Sequence, residues 1–277
     1  MTNEVLKQFS YFTKPMRAGH TVGLVLFVIT IFLLIALAKK CSAADLMKPQ
    51  AIEDPTGIAL EKFIFSLQQS DELPVRIIHY GDSHTAADWL TGKMRTKFQA
   101  DFGRENVSYE QQGINGARAT KPLGWNWKLI KAEFAKAPPS LIVIAYGTNE
   151  AGDADLDLNS YKEIYSQLLL RFKVAAPEAS LLVMAPPDRA IFRNGKWRTF
   201  KILPALIQVQ KEAAFENGAA FWNQFEAMGG PGAINRWSQY SPKLAQNDRV
   251  HLTLAGYQLI ANSFYEALIN SYENFQN

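Results

Sequence analysis

The chain has 277 residues, 48% apolar, 20% charged and 12% aromatic, with 29 basic and 26 acidic side chains and a formal net charge of +3. A mean hydropathy of −0.12 excludes a polytopic membrane protein, and a charge content this low and mixed in sign excludes a disordered chain. One Cys excludes both a disulfide framework and a Cys-based zinc site.

The basic excess has a location. Within residues 1–40, Lys7, Lys14, Arg17, Lys39 and Lys40 oppose only Glu4, which leaves the rest of the chain at −1. Those cations flank residues 21–38, TVGLVLFVITIFLLIALA, a run of 18 without a charge. A helix needs about 20 such residues to cross a bilayer. The run is therefore expected to be a single transmembrane helix. The competing reading is a cleaved signal peptide with Ala36-Leu37-Ala38 or Ser42-Ala43-Ala44 at the cleavage site; the apolar core of such peptides spans only about 7–15 residues, so the length favours a retained anchor. Cys41 invites a lipoprotein reading, but Lys40 stands where a small residue precedes a lipidated Cys. Three cations on each side (Lys7, Lys14 and Arg17; Lys39, Lys40 and Lys48) leave orientation undecided by charge bias.

The expected organisation is a segment over 1–20, the span over 21–38, a polar juxtamembrane linker over 39–57, and a folded domain over 58–277. Apolar residues at helical spacing predict a helix over 58–67. Beyond it strands and helices alternate: strand 75–80 (VRIIHY), helix 85–102, strand 141–146 (LIVIAY), helix 161–174, strand 180–185 (SLLVMA), helix 200–217 with Pro204 in its first turn, strand 219–222 and helix 254–272. Short, wholly apolar strands between helices imply an α/β fold, a parallel sheet covered on both faces. Chemistry in such sheets gathers at the carboxyl ends of the strands.

Four loops there carry the right residue types. The first strand runs into Gly81-Asp82-Ser83-His84, a sharp turn that exposes the Ser83 hydroxyl beside the free N–H groups of a helix start. Gly113-Ile114-Asn115-Gly116 is a glycine-bracketed loop whose backbone can approach a substrate, with the Gly116 N–H as a donor. Strand 141–146 leads into Gly147-Thr148-Asn149-Glu150, and the Asn149 amide suits an oxyanion hole where a carboxylate would repel the charge. Asp248-Arg249-Val250-His251 precedes the last helix. Of four His, His20 abuts the span, His79 lies inside a strand and His84 is adjacent to Ser83, so His251 is left as the free base. Its spacing from Asp248 puts both side chains on one side of a turn, in position for a Ser83, His251, Asp248 triad. Taken singly, each motif has a structural reading as a turn or cap; together they specify nucleophilic catalysis.

The set of Ser83 in a GDSx turn, Gly116 in GINGA, Asn149 in YGTNE and His251 in DRVH resembles the SGNH hydrolases, also called GDSL-type esterases, over about residues 75–268. The Ala185-Pro186-Pro187-Asp188 run after a strand is similar too, while His84 stands where the common signature has Leu. The resemblance implies a three-layer α/β/α, flavodoxin-like fold, Ser83 as nucleophile, the Ser83 N–H, Gly116 and Asn149 as oxyanion donors, and Asp248 and His251 completing the triad. The GDSH and GTNE forms look most like a bacterial envelope branch that includes peptidoglycan O-acetylesterases.

No cofactor or metal is expected, since no HxH or HExxH motif is present. Trp125, Trp127 and Trp197 are candidate stacking faces for a sugar, or else ordinary half-buried aromatics. Asp82, Asn115 and Arg189 are further candidate substrate contacts, and Arg118, Arg193 and Arg198 can meet an anionic group, although a neutral body argues against a broad polyanion surface. A tether beside a carbohydrate esterase places the body outside the cytoplasm of a bacterial cell, periplasmic and anchored in the inner membrane, acting on an acylated carbohydrate and no nucleic acid. The alternatives are an O-acyltransferase using the same triad and a non-catalytic glycan-binding subunit.

Overall fold

The computed structural model describes residues 42–275. The expected span at 21–38 lies outside them, and among the described residues no helix is long and apolar enough to cross a membrane. Five strands form one parallel sheet: β1 (Val75–Gly81), β2 (Val107–Gly113), β3 (Leu141–Ala145), β4 (Ser180–Met184) and β7 (Ala220–Trp222), in the order β2-β1-β3-β4-β7. Two further strands, β5 (Ala190–Arg193) and β6 (Lys196–Thr199), make a separate antiparallel hairpin. The helices are α1 (Glu61–Gln68), α2 (Ser83–Ala86), α3 (Trp89–Phe102), α4 (Trp127–Lys136), α5 (Leu158–Ala175), α6 (Leu203–Glu216), α7 (Gln224–Ala227), α8 (Ala233–Gln239) and α9 (Leu254–Phe275).

Alternate strand residues point to opposite faces, and both faces are covered. Val75, Ile77, Val143 and Trp222 pack with Phe63 of α1, Met94 and Phe98 of α3 and Ile260 and Phe264 of α9. On the other face, Ile78, Ile142, Val183 and Phe221 pack with Phe134 of α4, Tyr165 and Phe172 of α5 and Leu206 of α6. Each large apolar side chain buried this way contributes about 1.5–3 kcal/mol.

Two expectations are corrected, and a third segment, left open by the sequence, is placed. The helix expected over 85–102 is broken into α2 and α3 because Asp88 adopts a left-handed φ of 54°, which turns the chain sharply soon after Ser83. The part of the linker from Ala43 to 57 is docked onto the domain: Glu53 and Phe221 exchange both backbone hydrogen bonds (2.8 and 2.9 Å) beside β7, the Trp222 indole donates to Gln50 O, and Leu46, Met47 and Ile52 pack on the core. Apolar side chains in an otherwise polar stretch make that docking favourable. Finally, the glycine-rich region before Asp248 is part of the core: Ala233, Ile234 and Trp237 of α8 are fully buried.

Candidate active site

The sheet order reverses between β1 and β3: the chain leaves β1 for the edge strand β2 and returns to β3. At such a switch point the two loops diverge and leave a crevice at the carboxyl ends of the strands. The Ser83 turn, the Gly113 to Gly116 loop and the Asn149 turn follow β1, β2 and β3 respectively, so topology alone gathers them.

Asp82 caps α2, its carboxylate accepting the His84 N–H at 2.9 Å, which sets Ser83 at the first helical position. The tightness of this corner depends on two glycines. A Cβ at Gly81 would lie 2.1 Å from Thr85 Oγ1, and one at Gly113 would lie 2.2 Å from the Ala86 backbone N, so the loop after β2 sits directly against the nucleophile turn.

Ser83 Oγ lies 3.0 Å from His251 Nε2, and His251 Nδ1 lies 2.7 Å from Asp248 Oδ2. The other Asp248 oxygen accepts the N–H groups of Val250 (2.9 Å) and His251 (3.0 Å), so the carboxylate orients both the backbone and the ring of its partner. Partial burial works against ionisation of Asp248, but the His251 ring and these two N–H groups outweigh it and hold the carboxyl below its usual range. An ionised Asp248 fixes the tautomer that offers Nε2 as acceptor to the serine hydroxyl. The side chains of His251 and Asp248 remain 35% and 44% exposed, so water reaches the base.

The other two described histidines are not bases. Burial lowers His79 to about 3, with its Nδ1 2.9 Å from the Tyr109 hydroxyl. His84 is lowered to about 3 by burial and then by the neighbouring His251; its Nδ1 lies 2.8 Å from the Tyr257 hydroxyl and its ring centroid 5.2 Å from that of His251.

The oxyanion side is assembled by ties between loops distant in sequence. Asn149 Nδ2 donates to Ala117 O at 2.8 Å, Glu150 Oε1 accepts the Ala119 N–H at 2.7 Å, and Arg118 pairs with Asp153 at 2.9 Å. One Asn149 amide hydrogen thus binds the residue after Gly116 and leaves the other as a donor. Gly116 is exposed at φ +73°, with no atom within 4 Å of where a Cβ would be, so the loop leaves space on that side. Together with the Ser83 N–H, these donors can hold a tetrahedral oxyanion while His251 takes the serine proton.

Arg189 borders this group: its guanidinium donates to Thr148 O and lies 4.6 Å over the Phe200 ring, within the electrostatic reach of Asp82 and Asp248. Trp125 and Trp127 are directed elsewhere, against Tyr80 (5.5 Å) and Phe172 (5.0 Å) on the core face that includes α5. Asn115 sits exposed at the tip of the Gly116 loop. Sequence reasoning named two further residues within motifs but gave them no role. Asp188, fully buried, accepts from the Thr199 hydroxyl (2.8 Å) and the Ile234 N–H (2.9 Å), joining the base of the hairpin to α8. Arg249 adopts φ +58° and its carbonyl accepts the Ala190 N–H at 2.9 Å, which joins the hairpin to the triad loop.

A parallel sheet with a hydrogen-bonded serine, histidine and aspartate at its switch point is the arrangement a hydrolase of this fold presents. The model of the GDSL-like lipase/acylhydrolase family matches residues 79–259, and the chain belongs to that family of ester-hydrolysing enzymes. Among solved structures it is similar to a peptidoglycan O-acetylesterase (TM-score 0.70, 16% identity, covering 80% of this chain and 99% of that one). It is also similar to an acetyl xylan esterase (TM-score 0.54, 15% identity, 70% and 100% covered) and to a variant of an acetyl xylan esterase from Geobacillus stearothermophilus (TM-score 0.54, 17% identity, 71% and 96% covered). At these identities the likeness is one of fold. No curated protein matches the sequence.

Proposed function

We propose that the protein is a membrane-anchored serine esterase that removes O-acetyl groups from a cell-envelope glycan, with its N-terminus inside and its body outside the cytoplasm of a bacterial cell. The observation that carries the catalytic reading is the connected line Ser83, His251, Asp248 at 3.0 and 2.7 Å, with the Gly116 and Asn149 loops leaving the same end of the parallel sheet as the Ser83 turn. The structural neighbours that act on acetylated polysaccharides support the substrate class, and the uncharged run at 21–38 supports the anchor.

The reaction is two-step acyl transfer. His251 takes the Ser83 proton as Oγ attacks the ester carbonyl, the oxyanion is held by the N–H groups of Ser83 and Gly116 and by the Asn149 amide, and the protonated His251 passes its proton to the departing sugar oxygen. Water then gives up a proton to His251 as it attacks the acetyl-serine, releasing acetate and restoring the hydroxyl. Asp248 stays ionised throughout, stabilising the imidazolium in each step.

Product analysis after incubation with acetylated glycans tests this: free acetate is expected, whereas acetyl groups recovered on an added carbohydrate acceptor would make the enzyme an O-acyltransferase. For the topology, a reporter enzyme fused after Asn277 should be active only outside the cytoplasm; cytoplasmic activity would overturn the orientation.

A further inference from the structure

From residue 189 to 211 the sequence contains Arg189, Arg193, Lys196, Arg198, Lys201 and Lys211 and no acidic residue, although residues 41–277 as a whole carry −1. The structure concentrates this excess on the β5–β6 hairpin. Asn194 and Gly195, at φ +51° and +73°, form its two-residue turn, and Arg193 lies directly opposite Lys196. Arg198 faces Ile191 in the same register, so pleating puts Arg193, Lys196 and Arg198 on one face of the arm. All three are exposed, and none has a carboxylate partner among the described residues.

Like charges opposite one another across a hairpin destabilise it, and a bound anion offsets that repulsion. The other face is aromatic: Phe192 is 57% exposed and its ring centroid lies 5.4 Å from that of Trp197, over which the Arg249 guanidinium stacks at 5.1 Å. The Arg249 guanidinium hydrogen-bonds to the Gln246 and Asn247 carbonyls and the Asn235 amide oxygen, so among the described residues its charge too has no carboxylate partner. Through the Ala190 N–H and Arg249 O, this arm is attached between Asp248 and His251. The base of the arm is thereby tied to the loop that carries Asp248 and His251.

We propose that the β5–β6 hairpin, with Arg249, is a docking arm for a glycan that carries carboxylate groups, delivering its acetyl esters to Ser83. This deepens the esterase reading and rests on it. The cations meet the carboxylates, the exposed Phe192 ring lies on the other face of the arm within reach of neighbouring sugars, and attachment to the triad loop favours the substrate polymer over an anionic membrane surface as the occupant.

The test compares the full-length protein with the triple variant Arg193→Gln, Lys196→Gln, Arg198→Gln on acetylated polygalacturonate, acetylated dextran and 4-nitrophenyl acetate. Relative to the aryl ester, kcat/KM on the anionic polymer should fall about tenfold or more in the variant, with a much smaller change on dextran. Raising salt from about 0.05 to about 0.5 M should reproduce that fall in the wild type and not in the variant. An unchanged polymer-to-aryl ratio, or a wild-type preference for dextran, would overturn the proposal. So would loss of co-sedimentation with anionic lipid vesicles at an unchanged polymer ratio, which would assign the arm to the membrane. Wild-type protein that cleaves none of the three esters would instead remove the esterase reading beneath it.

Discussion

Single residues in the crevice are separated by environment into those that stay charged and those that do not. Asp248, half exposed and bonded to three hydrogens, stays ionised, while Asp82, only a turn from the nucleophile, is fully buried and pushed up to about 6 by desolvation, with the His84 N–H and the Thr148 side chain offsetting part of it. A carboxyl raised in the fold retains a proton that the unfolded chain has already released, so stability falls as pH rises through the window from the usual carboxylate range to about 6. Asp82→Asn keeps an acceptor for the His84 N–H and removes the titration. Its denaturation midpoint should therefore gain on the wild type by more at about pH 7.5 than at about pH 4.5; equal gains at both would mean that Asp82 is not a buried charge. Asn149 acts on the transition state instead. Asn149→Ala should lower kcat about 100- to 1000-fold with little change in KM, because the donor is used only as the oxyanion forms; a variant with wild-type kcat would exclude it from the hole.

Secondary elements divide into those the sequence announces and those it hides. The buried strands β3 and β4 are continuous apolar runs and α9 repeats apolar residues along one face, so all three were legible. The edge strand β2, VSYEQQG, was not: only Val107 and Tyr109 are buried, and the polar positions between and after them mask the alternation. In α4 a single residue, Phe134, is fully buried, too little for a helical stripe to stand out. The β5–β6 hairpin does carry an Asn-Gly turn signature, but its flanks are basic and mixed rather than alternating. The triad loop was legible because it rests on local spacing between Asp248 and His251. Its anchorage through Ala190 was not, nor was the tie from Asp188 to α8, since the Ala190–Arg249 and Asp188–Ile234 contacts join segments distant in sequence that only the fold brings together.

Across the whole chain the net +3 separates into parts with different tasks. The basic excess around 21–38 belongs with the expected anchor, and the body is near neutral, yet within that body one arm beside the triad concentrates unpaired cations. The central claim is that the crevice at the switch point activates Ser83. A fluorophosphonate probe incubated with the full-length protein tests it directly, with the labelled residue located by peptide mass spectrometry. Labelling at Ser83 is predicted, lost in Ser83→Ala together with at least about 1000-fold of the rate on 4-nitrophenyl acetate; labelling at another residue, or Ser83→Ala protein that still turns over the ester at the wild-type rate, would contradict it.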